Sequence, residues 1–394
     1  MNSKGDEQFS PAALLRWIER REGEIVSWIS KAVAIESPSF NKLAVDKMAE
    51  FLAESFEQAG GKAKLHRQGK LGNHLQVDFA AGRSHGRKPV LLLGHHDTVW
   101  EMGSLESMPC RVRDGKISGP GALDMKTGLA QMLFAVCALR MVLGDIPRPV
   151  TVLSVTDEEI GSDSSRALTE ALAKKSAAVF VLEPGQGPQG ALKTARKGVG
   201  EYVVKVSGRA SHAGVDFPSG ANAIVELARQ IEQIAKFTDH KRGITVNPGV
   251  IRGGTRSNVV AAHAEVAVDV RIPRSADARL LEKKFGRLKP FDKRCKVELE
   301  GGVNRPPMER SPVGVALFQR ARALAEQLGG KNRWKLAESA TGGGSDGNFT
   351  AALGIPTLDG MGAVGEGAHA FHEAAVIAEI PRRTALLAAL IATV

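Results

Sequence analysis

The sequence predicts an α/β fold: a mostly parallel mixed sheet flanked by helices, with an inserted α+β unit of ferredoxin-like order. Three observations carry that expectation. Apolar, β-branched runs at "PVLLLGHH" (89–96), "RPVTVLSVTDEE" (148–159) and "AAVFVLEPG" (177–185) alternate with helical patterns. That rhythm produces parallel strands buried on both faces. From Gly198 the order becomes strand, helix, strand, strand, helix, strand, as in a small α+β sandwich. The length, 394 residues, exceeds what one hydrophobic core usually supports.

The elements follow in order. "LLRWIERREGEIVSWISKAV" and "AVDKMAEFLAESFEQAG" space their apolar residues as two amphipathic helices, the second stopped by Gly60 and Gly61. "TGLAQMLFAVCALRMVLG" (127–144) and "SSRALTEALAKK" (164–175) are helices between the buried strands. In the insertion, "GEYVVKVSGRASHAG", "GITVNPGVIRGG", "AEVAVDVRI" and "KVELEGG" are strands. "SGANAIVELARQIEQIAKF" and "ADARLLEKKFGRL" are its helices. The chain returns near Ser311 with helix "PVGVALFQRARALAEQLGG" and closes in helix "EAAVIAEIPRRTALLAALIATV". The larger domain therefore takes residues 1–197 and 311–394, and the insertion takes 198–310.

Composition narrows the function classes. Hydrophobic content of 43% and charged content of 24% are ordinary for a globular chain. Cys110, Cys137 and Cys295 are odd in number and widely spaced, which offers neither a disulfide framework nor a thiolate zinc site. The N-terminus lacks the continuous apolar run of a secretory signal, and no stretch reads as a membrane span. The expected location is cytoplasmic. Net charge is +10, with basic residues gathered in "KKFGRLKPFDKRCK" (283–296). Few aromatic residues stand among them to stack on bases, so a solvated helix and turn is favoured over a nucleic-acid surface.

Chemistry gathers at the strand ends, where open α/β sheets bind their ligands. His95 and Asp97 lie two apart and share a face, while His96 points the other way. A carboxylate beside an imidazole can orient it toward a metal, although a polar strand end is the plainer reading of one H-x-D. Asp124, in the loop "ISGPGALDMKTG", is either a ligand or a helix cap. Glu158 and Glu159 adjoin in "TDEEIGS". One can hold a metal and the other accept a proton, or both can be acids at a helix start. Glu183 directly follows an apolar strand, where an unpaired carboxylate is costly. His369 lies in "GEGAHAFHE", ahead of the last helix. Together these nitrogen and oxygen donors suit zinc, with Co2+ or Mn2+ as alternatives.

"GHHDTVW", "GPGALDMKTG", "TDEEIGS", "LEP" and "GEGAHAFHE", in this order between about residues 30 and 375, resemble the motifs of a dizinc exopeptidase and deacylase family. That family includes glutamate carboxypeptidase, acetylornithine deacetylase, succinyl-diaminopimelate desuccinylase and aminoacylase. The loops "GGGSDGNFTAALGIPTLDGMGAVGEGAHA" and "GGVNRPPME" look nearest to the glutamate carboxypeptidase branch. The resemblance implies two Zn2+ per subunit, one held by His95, Asp124 and Glu183 and one by Asp124, Glu159 and His369. Asp124 would bridge them, Glu158 would be the general base, and Asp97 would orient His95. It also implies a cis peptide at Asp124–Met125.

For the insertion the resemblance implies a lid that also forms a homodimer contact. His212 would polarise the scissile carbonyl, and Asn258 and Arg271 would bind a substrate carboxylate, to which the planar fork of arginine is suited. The loop "TGGGSDGNFTAALGIP" (341–356) first suggests a phosphate cradle, but no Lys-Ser/Thr follows in Walker spacing. The resemblance puts Gly343 and Gly344 in the substrate cleft instead. His372 stands where the family commonly has Asp or Asn, so it stays as a rival to His369.

The implied activity is hydrolysis of an amide by metal-activated water. It would release a C-terminal amino acid from a small or peptide-like substrate bearing a carboxylate. Deacylation of an N-acyl amino acid is the alternative. A metal-binding protein without turnover is the rival from another class, against which the presence of Glu158 speaks. No nucleic-acid or membrane partner is expected.

Overall fold

The computed structural model describes residues 10–82, 86–330 and 334–394. Residues 1–9, on which the reading of no secretory signal partly rests, lie outside them. Two compact units form. One runs to Thr194 and resumes over Arg310–Ala340 and Ser345–Val394; the other comprises Ala195–Glu309 and Thr341–Gly344. The short return segment joins the second unit for a local reason. Arg196 donates to the carbonyls of Gly343 and Gly344 at 3.2 and 3.1 Å, and the Lys197 N–H donates to the Thr341 carbonyl.

Among the described residues of the larger unit, a six-stranded sheet runs Lys62–His66, His74–Phe79, Val150–Val155, Val90–His95, Ala178–Val181, Thr357–Leu358. The last four pair in parallel, and the first two are antiparallel. Val90 and Leu92 enter one hydrophobic cluster, with Val152 and Phe180. Leu91 and Leu93 enter another, with Leu153 and Val179. Alternate residues thus feed opposite faces, which is why these strands are apolar throughout. Each fully buried aliphatic side chain contributes about 1.5–3 kcal/mol, so the strand ends are held firmly in place. That firmness matters because His95 is the last residue of Val90–His95.

The helix Thr127–Leu143 packs on this sheet and against the closing helix Ile380–Thr393. With the turn before it, Ala122–Leu143 is long and apolar enough to cross a membrane by length and composition. This corrects the reading that no stretch comes near that limit. Its face is largely buried inside the protein, as in a core helix.

Two local features differ from the sequence expectation. The first amphipathic stretch is two helices, Pro11–Glu19 and Glu22–Val33, with the break at Arg20 and Arg21. Residues 373–376 are not helical: Ala374–Val376 is a strand, and the last helix begins at Ile380, with Pro381 in its first turn. That strand belongs to a small sheet ordered Gly365–Glu366, Ala374–Val376, Lys116–Ser118, Arg111–Arg113. Ala374 pairs with Ser118 and Ala375 with Ile117. This sheet ties the loop carrying Asp124 to the loop carrying His369.

The second unit has the order strand Gly198–Ser207, helix Ala223–Ala235, strands Thr245–Gly253 and His263–Ile272, helix Ser275–Phe285, strand Lys296–Arg305. Its antiparallel sheet alternates buried and more exposed positions, because helices cover one face only. Asn222 caps the first helix by accepting from the Ile224 and Val225 N–H groups.

Candidate metal centre

Strand ends and the turns after them bring six predicted residues of the larger unit together. His95 Nε2 lies 3.3 Å from Asp124 Oδ1 and 3.4 Å from Glu183 Oε1. His369 Nε2 lies 3.5 Å from Asp124 Oδ2 and 3.3 Å from Glu159 Oε2. The two oxygens of Asp124 therefore face different histidines. Glu158 and Glu159 share a single 3-10 turn, Glu158–Ile160, at the end of Val150–Val155. Donor atoms of His95, Glu158 and Glu183 lie within 4.8 Å of one another, as do those of His95, Asp124 and Glu159. Asp124 follows a turn in which Gly121 takes φ +72°, and the Asp124–Met125 peptide is cis.

The electrostatics show what the cluster lacks. Burial alone would raise the Asp124 carboxyl, but hydrogen bonds from His369 and His95 hold it well below the usual carboxylate range. Burial pulls His95 down, yet its bonds to Asp124, Asp97 and Glu183 prevail and keep it well above the ordinary imidazole value. Asp124 and Glu159 push His369 up to about 10. Burial raises Glu159, and its Oε1 is buried without a hydrogen-bond partner. Here the two histidines answer these carboxylates by holding their protons, and neutral, metal-binding imidazoles would need cations to take over that positive charge. A pair of divalent cations fits this donor set. His95, Asp124 and Glu183 would hold one, and Asp124, Glu159 and His369 the other. Imidazole and carboxylate donors without thiolate match zinc, cobalt or manganese.

The support around the ligands differs from expectation at Asp97. His95 Nδ1 lies 2.9 Å from the main-chain carbonyl of Asp97 and 3.4 Å from its carboxylate Oδ1. The carbonyl is the closer acceptor, and it fixes the ring with Nε2 toward the cluster. The Asp97 carboxylate, the farther of the two acceptors, uses its other oxygen, Oδ2, to accept from Ser39 Oγ at 2.7 Å and from the Glu159 N–H at 3.3 Å. His96 faces away, 2.9 Å from Ser154 Oγ, and burial lowers it to about 4. His372 is exposed, and the histidine against Asp124 and Glu159 is His369.

In the sequence Glu373 only favours His369 over His372 as the ligand and carries no role of its own. It is fully buried. Its Oε1 accepts from the Leu123 and Asp124 N–H groups at 2.9 and 3.0 Å. Its Oε2 accepts from the Gly121 N–H at 3.1 Å and Trp100 Nε1 at 2.8 Å. One carboxylate thus joins the segments that carry His95, Asp124 and His369. Its donors lie some 250 residues away in the chain, so no local pattern announces them.

In the second unit, His212 is exposed and accepts from the Gly214 N–H at 3.1 Å. The Asn258 carbonyl accepts from Ala213. The Arg271 guanidinium is engaged by Asp269, two residues earlier on the same strand, at 2.9 and 3.0 Å. A substrate carboxylate would have to displace that partner. A side chain at Gly344 would meet Val199 and Arg305, so glycine there keeps the backbone close to a nearly buried arginine.

The model of peptidase family M20/M25/M40 matches residues 91–393. Carboxypeptidase G2 of Pseudomonas sp. (strain RS-16) is 30% identical over 374 residues, covering 93% of this chain and 88% of that protein. Acetylornithine deacetylase of Salmonella arizonae is 30% identical over 257 residues, covering 61% of this chain and 65% of its own length. An aminopeptidase of Bacillus cereus has the same fold, with TM-score 0.77, 22% identity, and coverage of 94% and 98%. So does a Bacillus subtilis M20 peptidase described as binding a dinuclear metal, with TM-score 0.67, 13% identity, and coverage of 95% and 98%. By its sequence, its fold and its clustered ligands, the chain belongs to peptidase family M20/M25/M40, a family of metal-dependent peptidases and amidohydrolases.

Proposed function

We propose that this enzyme hydrolyses an amide bond and releases a C-terminal amino acid from a carboxylate-bearing substrate, as its likeness to carboxypeptidase G2 suggests. Removal of the acyl group from an N-acyl amino acid is the second reading, favoured by the likeness to acetylornithine deacetylase. The observation that carries the hydrolase reading is the division of the two Asp124 oxygens between His95 and His369, with Glu158 beside the first group.

Bound at these residues, two zinc ions would polarise the substrate carbonyl and increase the acidity of water. Glu158 takes the proton from the attacking water and passes it to the leaving nitrogen, so water adds across the C–N bond. Glu159 and Glu183 stand against His369 and His95 on the ligand side, which leaves Glu158 for proton transfer. The Asp97 carbonyl holds the His95 ring in place, and Glu373 holds the Asp124 loop. From the second unit, His212 would polarise the carbonyl, while Asn258, Arg271 and the N–H groups of Gly343 and Gly344 would receive the substrate carboxylate. A homodimer formed through that unit and a cytoplasmic location complete the proposal. The three cysteines, all free thiols, favour a reducing compartment.

A panel of N-acyl amino acids and dipeptides ending in glutamate, aspartate or a neutral residue, assayed with zinc, cobalt or manganese, tests the reading. Turnover with glutamate released fastest is expected. No turnover of any substrate by protein with metal bound would refute it.

A further inference from the structure

Beside the metal centre lies a cavity of about 320 Å³ whose wall includes Glu159 itself. Phe40, Val99, Met102 and Ile160 also line it. Phe40 is 79% exposed, Val99 41% and Met102 52%. Large apolar side chains left open next to a reaction centre mark a place where apolar surface is covered on binding. The walls are well anchored. Ser39 donates to the Asp97 carboxylate, the Ser39 N–H donates to the Thr98 carbonyl, and Glu159 N–H donates to Asp97. Phe40 and Val99 each lie next to one of these fixed residues. The charged groups lining the cavity, Glu101 and Glu159, are both acidic.

We infer that this cavity receives the acyl side of the scissile amide, and that it selects bulky apolar acyl groups over acetyl and rejects acyl groups ending in a carboxylate. The inference rests on the amide-hydrolase reading above and adds to it the residues that choose the acyl group. Glu159 is shared between the cavity wall and the metal centre, so the cavity opens beside the reacting groups. The volume exceeds what acetyl fills and lies at the lower end of the range for ligand pockets. A terminal carboxylate would meet Glu101, and among the described residues no basic side chain lines the cavity to receive it.

The test holds the amino acid fixed as the one released best in the panel and varies the acyl group among acetyl, benzoyl and succinyl. Expected kcat/KM for benzoyl exceeds acetyl about tenfold, the scale of discrimination an apolar pocket gives, and succinyl falls below acetyl. Phe40→Ala and Met102→Ala should bring the benzoyl-to-acetyl ratio toward one, whereas Val112→Ala, an exposed apolar residue on the small sheet, should not change it. Met102→Lys should raise succinyl relative to benzoyl. Both Phe40 and Met102 are exposed, so thermal midpoints should stay at the wild-type value and report folding independently.

Turnover that is indifferent to the acyl group, or a ratio untouched by Phe40→Ala and Met102→Ala, overturns this inference and leaves the hydrolase reading intact. A change in sedimentation mass on Phe40→Ala without a change in ratio also overturns it, since the patch would then be a contact between copies. Absence of turnover with every acyl group refutes the hydrolase reading, and the inference falls with it.

Discussion

His95 ends a strand buried on both faces, and its side chain is 1% exposed, whereas His369 sits at φ +61° in a loop with its side chain 52% exposed. Their partners differ in the same way. Glu183 stands two residues past the buried strand Ala178–Val181, while Glu159 belongs to a one-turn 3-10 helix. One half of the centre is positioned by the hydrophobic core. The other is positioned by polar ties: the four donors on Glu373, the short pairing of Ala374–Val376 with Lys116–Ser118, and the aromatic contact of Trp100 with Phe371 at 5.6 Å. A site shared between a rigid support and a tied loop should bind its two metals with unequal strength.

The largest effect should separate the neighbours Glu158 and Glu159. Glu158→Gln should lower kcat by about 10²–10⁴-fold, the range for loss of a general base, with metal content unchanged by elemental analysis. Glu159→Gln should instead cost metal on the His369 side. Next comes Glu373→Gln, which keeps the shape but puts an amide donor against N–H donors. It should weaken the second metal equivalent roughly 10–100-fold, as loss of an outer-shell partner does, and leave the first nearly intact in a calorimetric titration.

Stability should divide along the same line. In metal-free protein, His95→Ala should cost about 1–3 kcal/mol by leaving buried carboxylates without a donor, whereas His369→Ala should stay within about 0.5 kcal/mol. Thermal denaturation followed by circular dichroism distinguishes them, and equal losses would break the comparison. The smallest effect is kinetic. A chelator should strip the metals in two phases, the His369 side first, followed by metal released over time.

The two halves were unequally legible in the sequence. The core-supported half could be read because strands buried on both faces are continuously apolar, and the first polar residues after them stand out. His95 could be told from His96 by the two-residue period that it shares with Asp97. The tied half was harder to read. Strands of two or three residues, such as Gly365–Glu366 and Arg111–Arg113, are too short to show a period. The role of Glu373 depends on backbone N–H groups, which carry no residue identity. The same limit explains Asp97, whose carbonyl rather than carboxylate lies closer to His95. Arg271 was read alone, although Asp269 shares its face at the i, i+2 spacing and takes its guanidinium.

The central claim is a two-metal centre divided by Asp124 into unequal halves. A calorimetric titration of metal-free protein with zinc, run beside His369→Ala and Asp124→Asn, tests it most directly. The account predicts two equivalents of unequal affinity for the wild type, one retained equivalent for His369→Ala, and weakening of both for Asp124→Asn. A single equivalent in the wild type, or two undiminished equivalents in Asp124→Asn, would contradict it.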